Sequence, residues 1–289
     1  MIDNNIYLDH NATSPLLPAV QTAINEAAEK SLGNPSSPHW AGREAKILLE
    51  EARNSLAKSL GTEPREIIFT SGGSESNNAV LRQLSTASGK IKFDLNTSGV
   101  DFASVTSHKL GGPRGIGLLY ARQGAAFESL ITGGKQERVR RAGTENVTLA
   151  VGFAKALEWY LENQDRLQTQ YSHFREKVLG RINTIDGFFL NTNLDHSLQH
   201  TFNFGFSGIS AESILISLDL DGVAVSTGSA CSSGAMEASH VLLAMRRSRA
   251  EAKSSLRVSW GWSTTADEID YFLERLTHHI QRLQQKQAN

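Results

Sequence analysis

The sequence predicts an α/β fold. Strand-like and helix-like segments alternate along most of the 289 residues. A strand-like run at 66–70 leads through the turn Ser71-Gly-Gly-Ser74 directly into a helix-like stretch. With 39% hydrophobic and 20% charged residues, the chain can bury a sizeable core. These observations predict a globular protein of one large or two ordinary domains.

Apolar spacing and turn residues define the predicted elements in chain order. Helices are predicted for 18–31 and for 43–60, where Gly61 is a stop signal, and a third helix begins near Glu75. Strands are predicted for 66–70, 100–106 and 115–121, and a helix at 148–161 is expected to connect the two domains. Further strands are predicted at 200–206, 222–225 and 255–260, with a helix at 211–218. Thr265 and Glu268 have the spacing of a capping box that opens a long terminal helix.

The overall composition narrows the class of protein. The formal net charge is −1 and no apolar run approaches the about 20 residues that span a bilayer, so neither nucleic acid nor a membrane is an expected partner. Cys231 is the only cysteine, which excludes an internal disulfide, and the first residues lack the pattern of a secretory signal. We therefore expect a protein of the reducing cytoplasm.

The turn after the strand at 66–70 is the first candidate binding site. A glycine turn between a strand and a helix exposes backbone N–H groups at the positive end of the helix dipole, and such a site binds phosphate. Gly73 and Ser74 lie in this turn. A plain structural turn is the alternative, because glycine turns are common.

Lys109 is the second candidate. It follows His108 at the end of the predicted strand at 100–106 and precedes the turn Gly111-Gly-Pro113. A lysine that leaves the surface at such a point loses hydration and becomes able to form a Schiff base with an aldehyde. An ordinary solvated lysine is the alternative.

Two arginine-containing segments offer cations to an anion. Arg257 lies inside the apolar strand at 255–260, where an unpaired guanidinium is costly, so it should face a carboxylate or a polar cleft. A structural ion pair would satisfy it equally well. Arg140, Arg141 and Thr144 place two cations and a hydroxyl beside a glycine, which also suits an anion.

Cys231 lies among small residues, in Ser226-Thr-Gly-Ser-Ala-Cys-Ser-Ser-Gly234. A packing role is the alternative, but these neighbours supply no apolar wall, so we expect a reactive thiol. The histidines show no ligand spacing with acidic residues, and no metal site is predicted. A phosphate turn, a Schiff-base lysine, a carboxylate-binding arginine and a reactive thiol together suggest pyridoxal phosphate chemistry on an amino acid.

Seven sequence blocks that span nearly the whole chain resemble the cysteine desulfurases, the class V branch of the fold-type I pyridoxal-phosphate enzymes. They are YLDHNATSPLLPAV, GNPSSPHWAGREAK, EIIFTSGGSESNN, DFASVTSHKLGGPRGIGLLYAR, RRAGTENV, VSTGSACSSG and SLRVSWG. The SHK and GSAC blocks are highly specific in combination.

The resemblance implies a role for each candidate residue. Lys109 would bind the cofactor as a Schiff base and move the proton at Cα of the substrate, and Arg257 would bind the carboxylate of L-cysteine. The phosphate would be held by Gly73, Ser74, Thr106 and His108, with Ser107 in the same cofactor-binding set and Thr144 reaching a phosphate across a dimer interface. Cys231 would attack the substrate sulfur, so that alanine leaves and a persulfide passes to sulfur-acceptor or iron–sulfur scaffold proteins.

The resemblance also implies a fold with one part missing. The large domain, 13–164, would contain a mostly parallel sheet, and the smaller α+β C-terminal domain, 165–289 with 1–12, would carry the cysteine segment. An internal segment on the order of a hundred residues is absent near 81–88. It normally supplies an aspartate for the ring nitrogen and a histidine that stacks on the ring. Its loss would leave three strands side by side, with the lysine strand at the edge of the sheet.

Two other functions compete with the enzyme. One is a catalytically impaired relative that keeps the dimer face and the cysteine segment and binds partner proteins without turnover. The other is a Cys/His hydrolase, which is less consistent with the sequence because no oriented histidine and carboxylate or amide set accompanies Cys231.

Overall fold

A computed structural model describes residues 5–81, 95, 97–227 and 238–288. The helices are α1 (Pro18–Lys30), α2 (Trp40–Leu60), α3 (Gly73–Leu81), α4 (Gln136–Val139), α5 (Val147–Glu162), α6 (Gln164–Ile182), α7 (Ala211–Leu220), α8 (His240–Ala244), α9 (Arg249–Lys253) and α10 (Ala266–Ala288). The strands are β1 (Ile6–Tyr7), β2 (Ile67–Thr70), β3 (Phe102–Thr106), β4 (Gly117–Ala121), β5 (Phe188–Leu190), β6 (Thr201–Phe206), β7 (Val223–Ala224), β8 (Ser226–Thr227) and β9 (Ser255–Ser259). Two short 3₁₀ helices span Pro64–Glu66 and Ser107–Leu110.

The chain divides into two compact units, one formed by Ser14–Gln164 and the other by Met1–Thr13 together with Asp165–Asn289. The sequence-based division differs from this by one residue at the first boundary. The helix at 148–161, expected to connect the domains, is α5 and lies within the first of these units, where it packs against α1 and α2. Among the described helices, none is both long and apolar enough to cross a bilayer.

The unit Ser14–Gln164 contains a three-stranded sheet of order β2-β4-β3. Alternate residues of β4 point to opposite faces: Leu118 and Tyr120 join the core cluster that includes α2 and α5, whereas Leu119 joins the cluster that includes α3. Both faces of the sheet are therefore buried, which explains why its strands are almost uniformly apolar.

The predicted arrangement of three strands side by side is confirmed, and so is the edge position of the lysine strand. Within the described residues β3 pairs only with β4. The expectation of a mostly parallel sheet requires a correction, because both pairs in this sheet are antiparallel. The reason is that β4 lies between β2 and β3 and runs against both, so β2 and β3 still run in the same direction.

The other unit contains a four-stranded antiparallel sheet of order β5-β6-β9-β8, and β1 pairs in parallel with β7. Phe202 and Phe204 of β6 face Val258 and Leu256 of β9 across the ladder, and all four are fully buried. The alternate positions are polar. They pair Thr201 with Ser259 and Asn203 with Arg257. One face of this sheet is thus apolar core, and the other is lined with hydroxyl, amide and guanidinium groups.

Candidate active site

The predicted phosphate turn lies where β3 ends. Strand β2 stops at Thr70, and α3 begins at Gly73. A Cβ placed on Gly73 would lie 3.5 Å from the Cβ of Thr106, the last residue of β3. The first turn of α3, with its unsatisfied backbone N–H groups, therefore lies next to the end of the lysine strand. Ser74 is exposed at this turn.

Thr106 carries the clearest mark of a ligand site in this unit. Its Oγ1 atom is buried, and no described residue forms a hydrogen bond with it. A buried hydroxyl without a partner costs free energy, and a ligand oxygen would satisfy it. Because this atom lies near the start of a helix, the residues present fit a phosphate group there.

Ser107 faces a different neighbour. Its side chain is fully buried, and a Cβ on Gly112 would lie 2.1 Å from its Oγ. As long as the Ser107 side chain stays where it is, only glycine fits at position 112. The Ser107 Oγ is also buried without a described hydrogen-bond partner, and its cofactor role stays a prediction.

The backbone around Lys109 is held by residues that precede α1. The N–H and hydroxyl of Ser14 donate to the carbonyls of His108 (2.8 Å) and Lys109 (3.2 Å). Gly111 ends the 3₁₀ turn with a φ of 74°, a left-handed conformation that favours glycine. The Lys109 side chain is exposed, so the expected loss of hydration is not observed. The physical reason is the edge position of β3, since no described strand lies beyond it.

Arg140 and Arg141, expected to offer cations to an anion, both form hydrogen bonds within the chain. Arg141 forms a bidentate pair with Glu75 in the first turn of α3, at 2.9 and 3.2 Å. Arg140 donates to the backbone carbonyls of Arg65 and Ile67. Burial raises the pKa of Glu75, but hydrogen bonds from Arg141 and Ser71 outweigh it and hold that pKa below its ordinary value. Arg141 thus ties the segment to the first turn of α3, and Arg140 ties it to the start of β2. Thr144 is exposed.

A second ion pair anchors the same segment more deeply. The guanidinium of Arg53 donates to both carboxylate oxygens of Glu137, at 2.8 and 2.7 Å, and the two side chains are 2% and 1% exposed. The N–H of Phe69 donates to the same carboxylate at 3.0 Å. Within the short element α4, Glu137, Arg138 and Val139 have positive φ values, of 46°, 56° and 67°, so this element is a left-handed turn and not a right-handed helix. The buried carboxylate therefore holds a left-handed turn that is unfavourable for such residues.

In the other unit Arg257 satisfies its charge within the chain. Its Nη2 lies 2.8 Å from Oδ1 of Asp9. A structural ion pair was the alternative considered for Arg257 from the sequence. Its partner, Asp9, was not identified from the sequence. Strand β8 pairs Ser226 with Arg257 and ends at Thr227. The predicted thiol Cys231 lies outside the described residues.

Removing the hydroxyl of Thr106 tests whether this site binds the cofactor phosphate. We expect Thr106→Val to weaken pyridoxal phosphate binding about 10- to 100-fold, the loss of one hydrogen bond to a charged group. The cofactor-free protein should be no less stable than wild type, because this hydroxyl has no described partner to lose and its burial is unfavourable. Cofactor titration and urea unfolding measure the two quantities.

Ser104→Ala is the matched control for Thr106→Val. Ser104 lies two positions earlier on β3, and its hydroxyl already donates to Asn77 at 2.6 Å. Its loss should leave cofactor affinity unchanged. A Thr106→Val protein that binds the cofactor normally but unfolds more easily would show that the hydroxyl has a structural role.

Comparison with known proteins identifies the family of this chain. The family model described as Aminotransferase class-V matches the chain in two segments, residues 6–90 and 84–272. The cysteine desulfurase IscS of Dictyoglomus turgidum is 31% identical over 374 residues, covering 96% of this chain and 95% of that protein. A putative cysteine desulfurase, IscS 1 of Bacillus subtilis, is 30% identical over 375 residues, covering 96% and 99%. The two matched segments meet near the predicted gap, and the alignments are longer than the chain.

Solved structures show the same fold. A NifS-like protein superposes with a TM-score of 0.89 at 26% identity, covering 97% of this chain and 100% of that one. The NifS-like protein from Rickettsia africae gives a TM-score of 0.86 at 25% identity, covering 96% and 100%. The fold-type I prediction is confirmed. On both sequence and structure, the chain belongs to the class V aminotransferase family, in its cysteine desulfurase branch, and is shorter than the curated relatives.

Proposed function

We propose that this protein removes sulfur from L-cysteine with pyridoxal phosphate, giving L-alanine and a persulfide on Cys231. The observation that carries the proposal is the buried hydroxyl of Thr106, for which the described residues provide no hydrogen-bond partner, beside the start of α3 and three positions before Lys109. Relatives at about the same identity from several bacteria are named cysteine desulfurases.

The residues at β3 and α3 would hold the cofactor. The hydroxyl of Thr106 and the backbone N–H groups from Gly73 and Ser74 would bind its phosphate, and Lys109 would hold it covalently. His108 and Ser107 belong to the same set. When bound, pyridoxal phosphate supplies an electron sink for the charge that develops on the substrate.

Three side chains then act on the substrate. Arg257 binds its carboxylate, and the amine of Lys109 moves the proton at Cα. The thiolate of Cys231 attacks the sulfur of L-cysteine: the Sγ–Sγ bond forms, the Cβ–Sγ bond breaks, and its electron pair stays with Cβ, which takes up a proton. Alanine leaves, and the oxidised sulfur remains on Cys231 as a persulfide.

The proposal extends to the setting of the enzyme. The persulfide passes to sulfur-acceptor proteins of iron–sulfur cluster or thio-cofactor synthesis. A homodimer lets the exposed Thr144 reach the cofactor of the other protomer. A single cysteine without a disulfide suits the reducing cytoplasm.

The shortened sheet favours a second candidate function. Because β3 has one described neighbour, the lysine strand is an edge, and the resemblance places the aspartate for the ring nitrogen in the missing segment. A chain of this kind could keep the cysteine segment and bind sulfur-acceptor proteins without turning over L-cysteine. Cofactor binding and turnover must therefore be measured separately.

The decisive experiment mixes the purified chain with pyridoxal phosphate and records the visible spectrum before and after L-cysteine. The proposed enzyme forms a visible band, releases alanine and gains one persulfide, which mass spectrometry locates on Cys231. Cys231→Ala should keep the band and lose the persulfide, whereas Ser207→Ala, at an exposed position, should keep both. A band without alanine would support the partner-binding candidate, and alanine with sulfur transfer from Cys231→Ala would refute the assigned nucleophile.

A further inference from the structure

Arg257 lies on the polar face of the sheet formed by β5, β6, β8 and β9. Its neighbours in sequence, Leu256 and Val258, are fully buried on the opposite face. Across the ladder its partners are Asn203 of β6 and Ser226 of β8. Along the ladder the guanidinium is thus flanked by neutral polar residues, and β9 lies next to β8, the strand that precedes the Cys231 segment in sequence.

The guanidinium is only partly engaged. Its Nη2 donates to Asp9 at 2.8 Å, whereas Nε is buried and no described residue accepts a hydrogen bond from it. Arg53 offers a contrast, because Nε and both terminal nitrogens of that side chain donate to Glu50, Glu137 and Ile67. All three guanidinium nitrogens of Arg53 thus donate within the chain, whereas Arg257 keeps a buried N–H donor that a planar anion would satisfy.

The backbone at Asp9 is held by hydrogen bonds on both sides. Its carbonyl accepts hydrogen bonds from the hydroxyl of Tyr7 and the N–H of Ala12, both at 3.0 Å. The residues on either side of Asp9 form hydrogen bonds with Ser259. The Ser259 N–H donates to the Leu8 carbonyl at 2.8 Å, and the Ser259 carbonyl accepts from the His10 N–H at 3.2 Å. The backbone that carries the Asp9 carboxylate is therefore fixed, in part by hydrogen bonds of the adjacent residues to Ser259 of the same strand, β9.

We propose that Asp9 is a positioning residue for Arg257. It fixes the guanidinium before the substrate arrives, so that the Nε side stays directed at the carboxylate of the amino acid. Arginine has many rotamers, and ordering it in advance removes that entropy from the binding step. This inference rests on the proposed function, because that function makes Arg257 the group that binds the substrate carboxylate.

The test compares Asp9→Ala and Asp9→Asn by their kinetics with L-cysteine. Asp9→Ala should raise KM about tenfold, the effect of one lost charge-assisted contact, with kcat within about twofold. Asp9→Asn keeps an oxygen acceptor for Nη2 and should restore KM to within about threefold of wild type. Asp270→Ala removes an exposed ion pair with Lys177 in the same unit and should change neither constant.

A second readout does not require turnover. In the cofactor-free protein, the Arg257 Nε–H should give a sharp NMR signal in wild type and in Asp9→Asn, and a broadened one in Asp9→Ala. The inference is overturned if Asp9→Ala keeps the wild-type KM, if kcat falls while KM does not move, or if the signal is unchanged. If wild type forms no alanine, the proposed function fails, and the NMR comparison alone then decides whether Asp9 orients Arg257.

Discussion

Replacing Glu137 by alanine is expected to lower the free energy of unfolding by about 3–5 kcal/mol, because it leaves a buried guanidinium without its partner. Arg53 and Glu137 are almost completely buried, and the carboxylate also accepts from the N–H of Phe69. Burial lowers the pKa of Arg53, but hydrogen bonds and charge from Glu137, with Glu50, outweigh it and hold that pKa above its ordinary value. Arg53 thus stays charged, and its charge needs Glu137.

Urea unfolding of the cofactor-free protein measures this effect, and Glu50→Ala is the matched control. Glu50 pairs with the same Arg53 at 3.1 Å, but its side chain is 38% exposed. Its loss should cost no more than about 1 kcal/mol. Equal losses for Glu137→Ala and Glu50→Ala would show that water reaches Arg53 and that the pair is not buried in solution.

Replacing Lys109 by alanine is expected to reduce alanine formation by at least about 10²–10⁴-fold, the contribution of a positioned proton-transfer group. The side chain is exposed, and its backbone is held by Ser14, so the change should leave the fold intact. Borohydride reduction followed by peptide mass spectrometry should find the cofactor attached at residue 109 in wild type only.

Lys58→Ala is the control for this experiment, because Lys58 is an exposed lysine near the end of α2 in the same unit. It should keep both the rate and the attachment. Attachment at another lysine, with the rate unchanged in Lys109→Ala, would show that the motif around Lys109 does not hold the cofactor.

Local patterns predicted the elements that set up the site. The run at 66–70 followed by two glycines predicts β2, the turn and α3, because strand residues and glycine act within a few positions. The helix at α6 was missed, although Leu167, Tyr171, Phe174, Val178 and Ile182 form a buried stripe at helical spacing. Because this helix contains many polar residues, its average hydrophobicity is low, and the stripe is not apparent from that average.

The ion pairs could not be predicted in the same way. Arg53 and Glu137 are far apart in sequence, as are Asp9 and Arg257, and only the folded chain brings each pair together. Arg141 looks like a free cation in the sequence because its partner, Glu75, lies on another element. Charge spacing reveals contacts along one helix, whereas pairs across a fold follow from topology.

The left-handed turn at Glu137, Arg138 and Val139 has a consequence for the order of folding. Three successive residues with positive φ cannot hold this conformation alone, since each such residue costs on the order of 1–3 kcal/mol. In the folded chain the Glu137 carboxylate accepts hydrogen bonds from Arg53 of α2 and from the N–H of Phe69 of β2, so we expect the turn to form after these two elements have come together. We infer that the segment 136–144, which carries Thr144, takes its final conformation late in folding, after the sheet has formed.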